Sequence, residues 1–161
     1  MLKKIIKRSE YRQMPWANGG GLTDELCIHY DEETGHMLWR ISMADVALDG
    51  PFSCFEGYDR VLVLINGRGL TLNFNSGTTV GLHEPYDQVS FAGDIGTHAI
   101  LLDGPIQDFN VIVRRNALKA EVTILRDACI LSLLPNAETL AILALDNDLT
   151  IVEPCTESNS V

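Results

Sequence analysis

Two arginine side chains stand where they could bind an anion. Arg60 opens a strongly apolar stretch, residues 61–65, and Arg40 lies between Trp39 and Ile41. A guanidinium group carries five N–H donors in a planar fork, which matches a carboxylate better than an ammonium group does. These residues therefore indicate non-covalent binding of a small carboxylic acid. For Arg60 the structural alternative is an internal salt bridge, with Asp59, Glu56 or Glu25 as the partner.

Further polar residues are spaced so that they can join these arginines. Residues two apart in a β-strand share a face, so Arg40 lies on the same face as Ser42, and Asp108 on the same face as Asn110. In a closed barrel, Arg40, Ser42, Arg60 and Asn110 could line one cavity. The alternative for each of them is an outward position in contact with solvent.

A third group of candidates lies near the N-terminus. Trp16 and Asn18 belong to the block W-A-N-G-G-G at residues 16–21. Consecutive glycines allow a tight turn or a close backbone approach, so we expect this block to be structural or to form a pocket wall. It lacks the G-x-G-x-x-G and Gly-Lys-Ser/Thr patterns of phosphate-binding loops. The candidate ligand-binding residues are thus Trp16, Asn18, Glu25, Arg40, Ser42, Arg60 and Asn110.

No residue pattern indicates a nucleophile or a redox site. Ser42 and Ser53 have no Gly-x-Ser-x-Gly elbow around them. The loop residues His83, Glu84 and Asp87 could approach one another, but we expect them to be solvated. The cysteines show no C-x-x-C spacing and are expected to be reduced thiols packed as small hydrophobes; they are Cys27, Cys54, Cys129 and Cys155.

The elements that must position these residues are short β-strands. The pair Asn66-Gly67 between the apolar runs 62–65 and 70–74 predicts a hairpin, because both residues tolerate positive φ. About ten strands at this spacing indicate an antiparallel sandwich or barrel with few helices. Further strands are predicted at 78–82, 98–102, 108–115, 121–125, 130–134, 139–145 and 149–152.

Charge and hydropathy restrict the partners. The chain has 161 residues and a net charge of −10, from 22 acidic and 12 basic residues. This balance disfavours nucleic acid and anionic lipid as partners. The sequence has no apolar run of the ~18 residues that a membrane span needs, and its basic start lacks an apolar signal-peptide region. We therefore expect a cytoplasmic protein that binds small molecules or other proteins.

Three blocks of sequence carry a resemblance to a known family. They are W-A-N-G-G-G-L-T-D-E at 16–25, W-R-I-S at 39–42 with G-P-F-S-C-F-E-G-Y-D-R at 50–60, and D-F-N-V-I-V-R-R at 108–115. In this order they resemble the HutD/Ves family. The resemblance implies a cupin-like (RmlC-like) fold, usually with two β-barrels in one chain, and an association with histidine utilisation in bacteria. It implies no established catalytic activity.

The resemblance also suggests how the chain is divided. Family members commonly run longer, so a second barrel here would be shortened. We expect an N-terminal segment with a first cupin-like barrel at 1–118, a reduced second β subdomain at 119–155 and a polar tail at 156–161. An unfinished barrel leaves sheet edges that proteins cover or pair, which favours a homodimer.

The cupin resemblance allows a test for metal ligands. A metal-binding cupin carries H-x-H three or four residues before a Glu, and a Gly seven residues after that Glu. Gly67 lies seven residues after Arg60, so Arg60 occupies the Glu position. The histidine positions are occupied by Ser53, Phe55 and Ser90, or in the shorter spacing by Cys54 and Glu56. Because such metals need imidazole and carboxylate ligands, we predict neither metal nor cofactor.

The sequence thus predicts an all-β, cupin-like protein, a bicupin with a shortened second barrel. It would bind a small carboxylic acid without metal, as a regulator or accessory factor in amino-acid catabolism, with histidine as the pathway that the resemblance implies. One alternative is a metal-free isomerase or lyase that uses a carboxylate or arginine of the cavity, with Glu25 or Asp108 as the acid–base residue. Another is a protein-interaction module whose barrel is filled by side chains.

Overall fold

The computed structural model describes residues 4–126 and 139–145. These residues form a short 3₁₀ turn, Arg8–Glu10, and ten strands: β1 Arg12–Pro15, β2 Gly21–Tyr30, β3 Met37–Val46, β4 Gly50–Pro51, β5 Tyr58–Asn66, β6 Leu70–Phe74, β7 Thr79–Leu82, β8 Gln88–Ala92, β9 Thr97–Leu101 and β10 Ile106–Arg114. In this part of the chain no helix has the length and apolar character to cross a membrane.

The strands form two sheets in which every pairing is antiparallel. The larger sheet has the order β1-β2-β3-β10-β5-β8, and the smaller has the order β4-β9-β6-β7. The chain comprises two compact units, Met1–Ile124 and Leu125–Val161, and all of these strands belong to the first. The predicted all-β fold with antiparallel sheets is confirmed, whereas the second barrel remains a prediction.

The apolar core lies between the two sheets. Strand β6 alternates buried and half-buried residues along its length, as expected for a strand that faces a core on one side. Each fully buried Leu in this layer stabilises the fold by roughly 1.5–3 kcal/mol. The core residues are Ala44, Val46, Leu62, Leu64 and Ile106 from the larger sheet, and Leu70, Leu72, Phe74, Leu82 and Ala99 from the smaller.

The turn after β5 is not the predicted hairpin. β5 pairs with β10 and β8, whereas β6 pairs with β7 and β9, so residues 66–69 carry the chain from one sheet to the other. Gly67 has φ +103°, and a Cβ there would lie 2.7 Å from Ile106 Cγ2 and from Pro105 O. The chain therefore bends after Asn66, as the Asn-Gly pair indicated, but the bend leads from one sheet to the other and forms no hairpin.

Other strand predictions differ from the structure. Strands β1, β2, β4 and β8 were not predicted, and the described residues at 121–125 and 139–145 form no strand. The segment A-E-V-T-I-L at 120–125 has high β-propensity, but propensity describes the fit to a pleated surface and provides no partner strand. The predicted strands 130–134 and 149–152 lie outside the described residues.

Candidate functional site

Three adjacent strands of the larger sheet present one row of inward-facing side chains. β10 is the central strand of the three, with β3 on one side and β5 on the other. The register fixes three layers, which are Arg40–Ile112–Arg60, Ser42–Asn110–Leu62 and Ala44–Asp108–Leu64. The two arginines thus flank Ile112, and Asp108 lies four residues deeper along β10.

These rows form part of the wall of a cavity of about 470 Å³. The cavity is also lined by the end of β1 and the connection that follows it, by one residue of β2 and by the segment 51–55. The residues of the first three are Met14, Pro15, Trp16, Ala17, Asn18 and Thr23. Six of the seven predicted site residues line this cavity, namely Trp16, Asn18, Arg40, Ser42, Arg60 and Asn110. The structure therefore brings together residues as distant in the sequence as Trp16 and Asn110, which are 94 positions apart.

Arg60 is a buried cation, only 5 % exposed. Its Nη1 donates to Ser53 O at 3.3 Å, and its Nη2 donates to Asn110 Oδ1 at 2.7 Å. The Nε atom is buried and has no hydrogen-bond partner among the described residues. The guanidinium Cζ also lies 5.1–5.6 Å from the ring centroids of Phe52, Phe55 and Phe91. Aromatic faces attract a cation at this distance and compensate part of its lost hydration.

The salt bridge that was the structural alternative for Arg60 is not formed with its predicted partners. Asp59 Oδ1 accepts a hydrogen bond from Arg115 Nε at 2.7 Å, and Glu25 lies beside Arg40. Burial therefore lowers the pKa of Arg60 to about 10, opposed by the nearby Asp108. The guanidinium remains charged at neutral pH.

Glu25 is the predicted site residue that does not line the cavity. Its Oε2 lies 2.8 Å from Arg40 Nε, and both side chains are nearly buried. Arg40 Nε nonetheless has no aligned hydrogen-bond acceptor, so the contact is an ion pair in which the N–H does not point at the carboxylate oxygen. Glu25 thus balances the charge of Arg40 from β2, at the position that pairs with Ser42 of β3.

Asp108 is the most deeply buried ionisable group of the cavity, 1 % exposed. Its Oδ1 accepts a hydrogen bond from Asn110 Nδ2, and its Oδ2 is buried without a partner among the described residues. Burial raises the pKa of Asp108 to about 7, although Arg60 and the hydrogen bond from Asn110 act in the opposite direction. From the sequence, Asp108 is only an acid–base candidate of the enzyme alternative and is not among the predicted ligand-binding residues, although it is placed there on the same face as Asn110.

The glycine-rich block forms the turn that holds Trp16 at the cavity rim. Trp16 Nε1 donates to Thr23 Oγ1 at 2.8 Å, and Gly20 N donates to Asn18 Oδ1 at 2.9 Å. A Cβ at Gly21 would lie 2.5 Å from Asp45 O and 3.1 Å from the Trp16 ring. The block is therefore a wall of the cavity, and this close approach explains a glycine at position 21.

The cavity does not suit the metal that cupin barrels often bind. Two guanidinium groups contribute to its wall, and Asp108 is the one carboxylate among the described lining residues. A buried Arg60 stands at the position of the usual glutamate ligand and would repel a cation. In the described part of the chain, no three His, Cys, Asp or Glu residues are grouped as metal ligands.

Two antiparallel sheets around an apolar core, with a polar cavity lined by the inner face of β3 and β10, define a protein of the cupin class. Residues 8–159 match the HutD family, and the chain belongs to that family. It is 34% identical over 119 residues to an uncharacterised 21.2 kDa protein in the hutC 3′ region of Pseudomonas putida, covering 74% of this chain and 62% of that protein. It is 37% identical over 121 residues to Protein Ves of Citrobacter koseri, covering 71% and 61%.

Solved structures agree with this assignment. HutD from Pseudomonas fluorescens SBW25, determined in a formate condition, superposes with a TM-score of 0.62 at 38% identity, over 67% of this chain and 58% of that chain. A conserved protein of unknown function from Pseudomonas aeruginosa PAO1 gives a TM-score of 0.64 at 35% identity, over 70% and 58%. KdgF from Halomonas, at 12% identity and a TM-score of 0.52, covering 70% and 95%, shares the fold alone. The chain spans about three fifths of the length of the curated relatives it matches.

Proposed function

We propose that this protein binds a small carboxylic acid in the cavity without a metal ion, as a regulator or accessory factor in amino-acid catabolism. Histidine catabolism is the pathway that we propose, because the family is associated with histidine utilisation. A cytoplasmic location accords with the free thiols of Cys27 and Cys54, since cytosolic proteins rarely hold disulfides.

The observation that carries the proposal is the state of Arg60. Two of its five N–H donors are used by Ser53 O and Asn110 Oδ1, which leaves three for a ligand. Arg60 has no ion-pair partner among the residues that the structure describes. A buried cation in that state is costly, and a bound carboxylate would compensate it through a two-point hydrogen bond. The cavity of about 470 Å³ lies within the size range of small-ligand sites.

Neighbouring polar groups support the same ligand. Arg40 adds a second guanidinium on the other side of Ile112, and Ser42 offers a hydroxyl one layer deeper. Both lie on the face of β3 that turns inward. Ligand oxygen atoms would thus meet donors on two strands. Hydrogen-bond donors on two strands suit the oxygen atoms of a carboxylate.

Thermal unfolding with a panel of acids tests the proposal. Urocanate, formylglutamate, formiminoglutamate, glutamate and formate would each be added at millimolar concentration, with and without a chelator. A ligand at a hundred times its dissociation constant stabilises the folded state by about 2.7 kcal/mol, which raises Tm by several degrees here. We expect such a rise with at least one acid, unchanged by the chelator.

Two variants distinguish cavity binding from surface binding. Arg60→Ala should abolish the rise in Tm, and Arg60→Lys should reduce it, because an ammonium group cannot form the planar fork. Arg68→Ala is the matched control, because it removes an arginine that does not line the cavity. The Arg68 side chain is 78% exposed, and its Nε lies 3.9 Å from Asp103 Oδ2 in a surface ion pair. If no acid raises Tm, or if Arg60→Ala responds like the wild type, the proposal is wrong.

One observation favours a second function, that of a metal-free enzyme. Asp108 lines the cavity, and burial raises its pKa to about 7, which is the range of a general acid or base. Incubation of each acid with the protein in deuterated water, followed by proton NMR, would detect turnover or hydrogen exchange. Loss of that reaction in Asp108→Asn would support the enzyme. The alternative of a protein-interaction module with a filled barrel is not favoured, because the cavity of about 470 Å³ has room for a small ligand.

A further inference from the structure

Asp108 and Arg60 are joined through a single amide. Asn110 Oδ1 accepts from Arg60 Nη2, and Asn110 Nδ2 donates to Asp108 Oδ1. A guanidinium group can only donate, so the amide oxygen of Asn110 must face Arg60 and its NH₂ group must face Asp108. Asn110 therefore has one possible orientation, and Asp108 Oδ1 must act as an acceptor.

This orientation determines where Asp108 can hold a proton. Because Oδ1 is occupied by the amide N–H, a proton on the carboxyl group sits on Oδ2. Oδ2 is buried and has no partner among the described residues, and Asp108 lines the cavity. Protonated Asp108 can thus donate a hydrogen bond from Oδ2 to a ligand atom, and ionised Asp108 cannot.

The charged groups around Asp108 nearly cancel. β5 contributes Arg60, β3 contributes Arg40 and Asp45, and β2 contributes Glu25. Arg40 is balanced by Glu25, and exposed Asp45 lies on the outer face of β3, where it accepts a hydrogen bond from Gln107. Arg60 and ionised Asp108 then leave the cavity with no net charge.

From these contacts we propose that Asp108 makes the cavity selective for ligands with a single carboxylate and takes up one proton from solvent when such a ligand binds. This inference rests on the proposed carboxylate site. With Asp108 ionised, a bound carboxylate leaves one uncompensated negative charge in the cavity, which burial makes costly. With Oδ2 protonated, the ligand carboxylate and Arg60 balance each other.

The same charge count gives the specificity. A second carboxylate on the ligand adds a negative charge that no remaining cavity group neutralises, because Arg40 is already paired with Glu25. Dicarboxylates should therefore bind more weakly than monocarboxylates of equal size. The raised pKa of Asp108 is consistent with proton uptake near neutral pH.

The test is a titration of the full chain with butyrate and with succinate, which have the same number of carbon atoms and differ by one carboxylate. Isothermal calorimetry between pH 6 and pH 9 gives the affinities, and two buffers of different ionisation enthalpy at pH 8 give the number of protons taken up. We expect roughly tenfold weaker butyrate binding per pH unit above about pH 7, close to one proton taken up, and succinate at least about tenfold weaker than butyrate.

Two variants assign the effect to Asp108. Asp108→Asn keeps an N–H donor where the Oδ2 proton would be, so butyrate should bind it with the same affinity at pH 6 and pH 9 and without proton uptake. Asp45→Asn should retain the pH dependence of the wild type. If Asp108→Asn does not fold, the proton count on the wild type decides alone.

The outcomes separate the two proposals. If butyrate binds the wild type with no pH dependence and no proton uptake, or if succinate binds as tightly as butyrate, the role of Asp108 is refuted and the carboxylate site stands. If no monocarboxylate binds at any pH, both proposals fail.

Discussion

At the scale of single residues, the cavity combines a cation and an acid that are both displaced from their usual ionisation. Burial lowers the pKa of Arg60 and raises that of Asp108, and each of the two groups partly offsets the shift of the other. Desolvation therefore exceeds their mutual attraction. A ligand carboxylate beside Arg60 would place a negative charge next to this buried cation and stabilise it. This stabilisation is the physical basis of the proposed function.

The ionisation of Asp108 should be visible in stability without any ligand. Its pKa in the folded state is about 7, above the usual value of 3.8, so the folded chain holds a proton that the unfolded chain has released between these limits. The free energy of unfolding should therefore fall as pH rises from about 4 to about 7, by up to roughly 1.4 kcal/mol per pH unit, and then level off.

The measurement is Tm against pH for the wild type and Asp108→Asn. The difference in Tm should change by several degrees in favour of the variant between pH 5 and pH 7, since other groups titrate equally in both proteins. Asp45→Asn should run parallel to the wild type. Parallel curves for the wild type and Asp108→Asn would contradict the prediction, because they would mean that Asp108 has the same pKa in the folded and the unfolded chain.

Much of the cavity lining could be predicted at the residue scale, and the reasons for the rest are specific. Period-two alternation correctly grouped Arg40 with Ser42, and register then brought Arg60 and Asn110 to the same cavity. The aromatic rings around Arg60 come from residues 52, 55 and 91, and nothing in their spacing signals a common position. Glu25 was assigned to the ligand, but sequence could not show that it pairs with Arg40 instead.

At the scale of elements, the turn between β1 and β2 sets the shape of the cavity rim. Gly21 begins β2, and its backbone lies against Asp45 O and the Trp16 ring. Gly21→Ala should therefore displace Trp16 or increase the distance between β2 and β3. We expect a loss of about 1–3 kcal/mol in the free energy of unfolding, measured by denaturant titration, and weaker binding of carboxylates.

Gly50→Ala is the matched control for that variant. Gly50 also has no positive φ, and the nearest side-chain atom to a Cβ there is Asn18 Nδ2 at 3.9 Å. This second substitution should leave stability within roughly 0.5 kcal/mol of the wild type. Equal effects of the two substitutions would mean that the close approach at position 21 is unimportant.

Element prediction succeeded where a strand could be recognised by itself and failed where its partner mattered. β6, β7, β9 and β10 were located from apolar runs and turn residues within about two positions. The pairing after Asn66-Gly67 was wrong, because a reversal in the chain does not specify which sheet the next strand joins. β2 escaped prediction since half-buried residues such as Asp24 and Glu25 interrupt its apolar alternation.

At the scale of the whole molecule, the chain matches only part of its curated relatives' length. Homodimerisation remains a prediction, made from the sheet edges that an incomplete second barrel would leave. Size-exclusion chromatography with light scattering should give about twice the chain mass of 17.8 kDa. A single species at the chain mass across micromolar concentrations would contradict it.

The central claim is that the Arg60 guanidinium contacts a ligand carboxylate, and NMR can observe that group directly. The Nε–H resonance of Arg60 in ¹⁵N-labelled protein at pH 6 can be assigned by its absence in Arg60→Lys, and butyrate can then be titrated in. We predict a saturable shift of this resonance, with the same dissociation constant as calorimetry gives and no effect of a chelator. The claim would be contradicted if butyrate shifted other resonances to saturation while the Arg60 resonance did not move, or if butyrate did not bind at all.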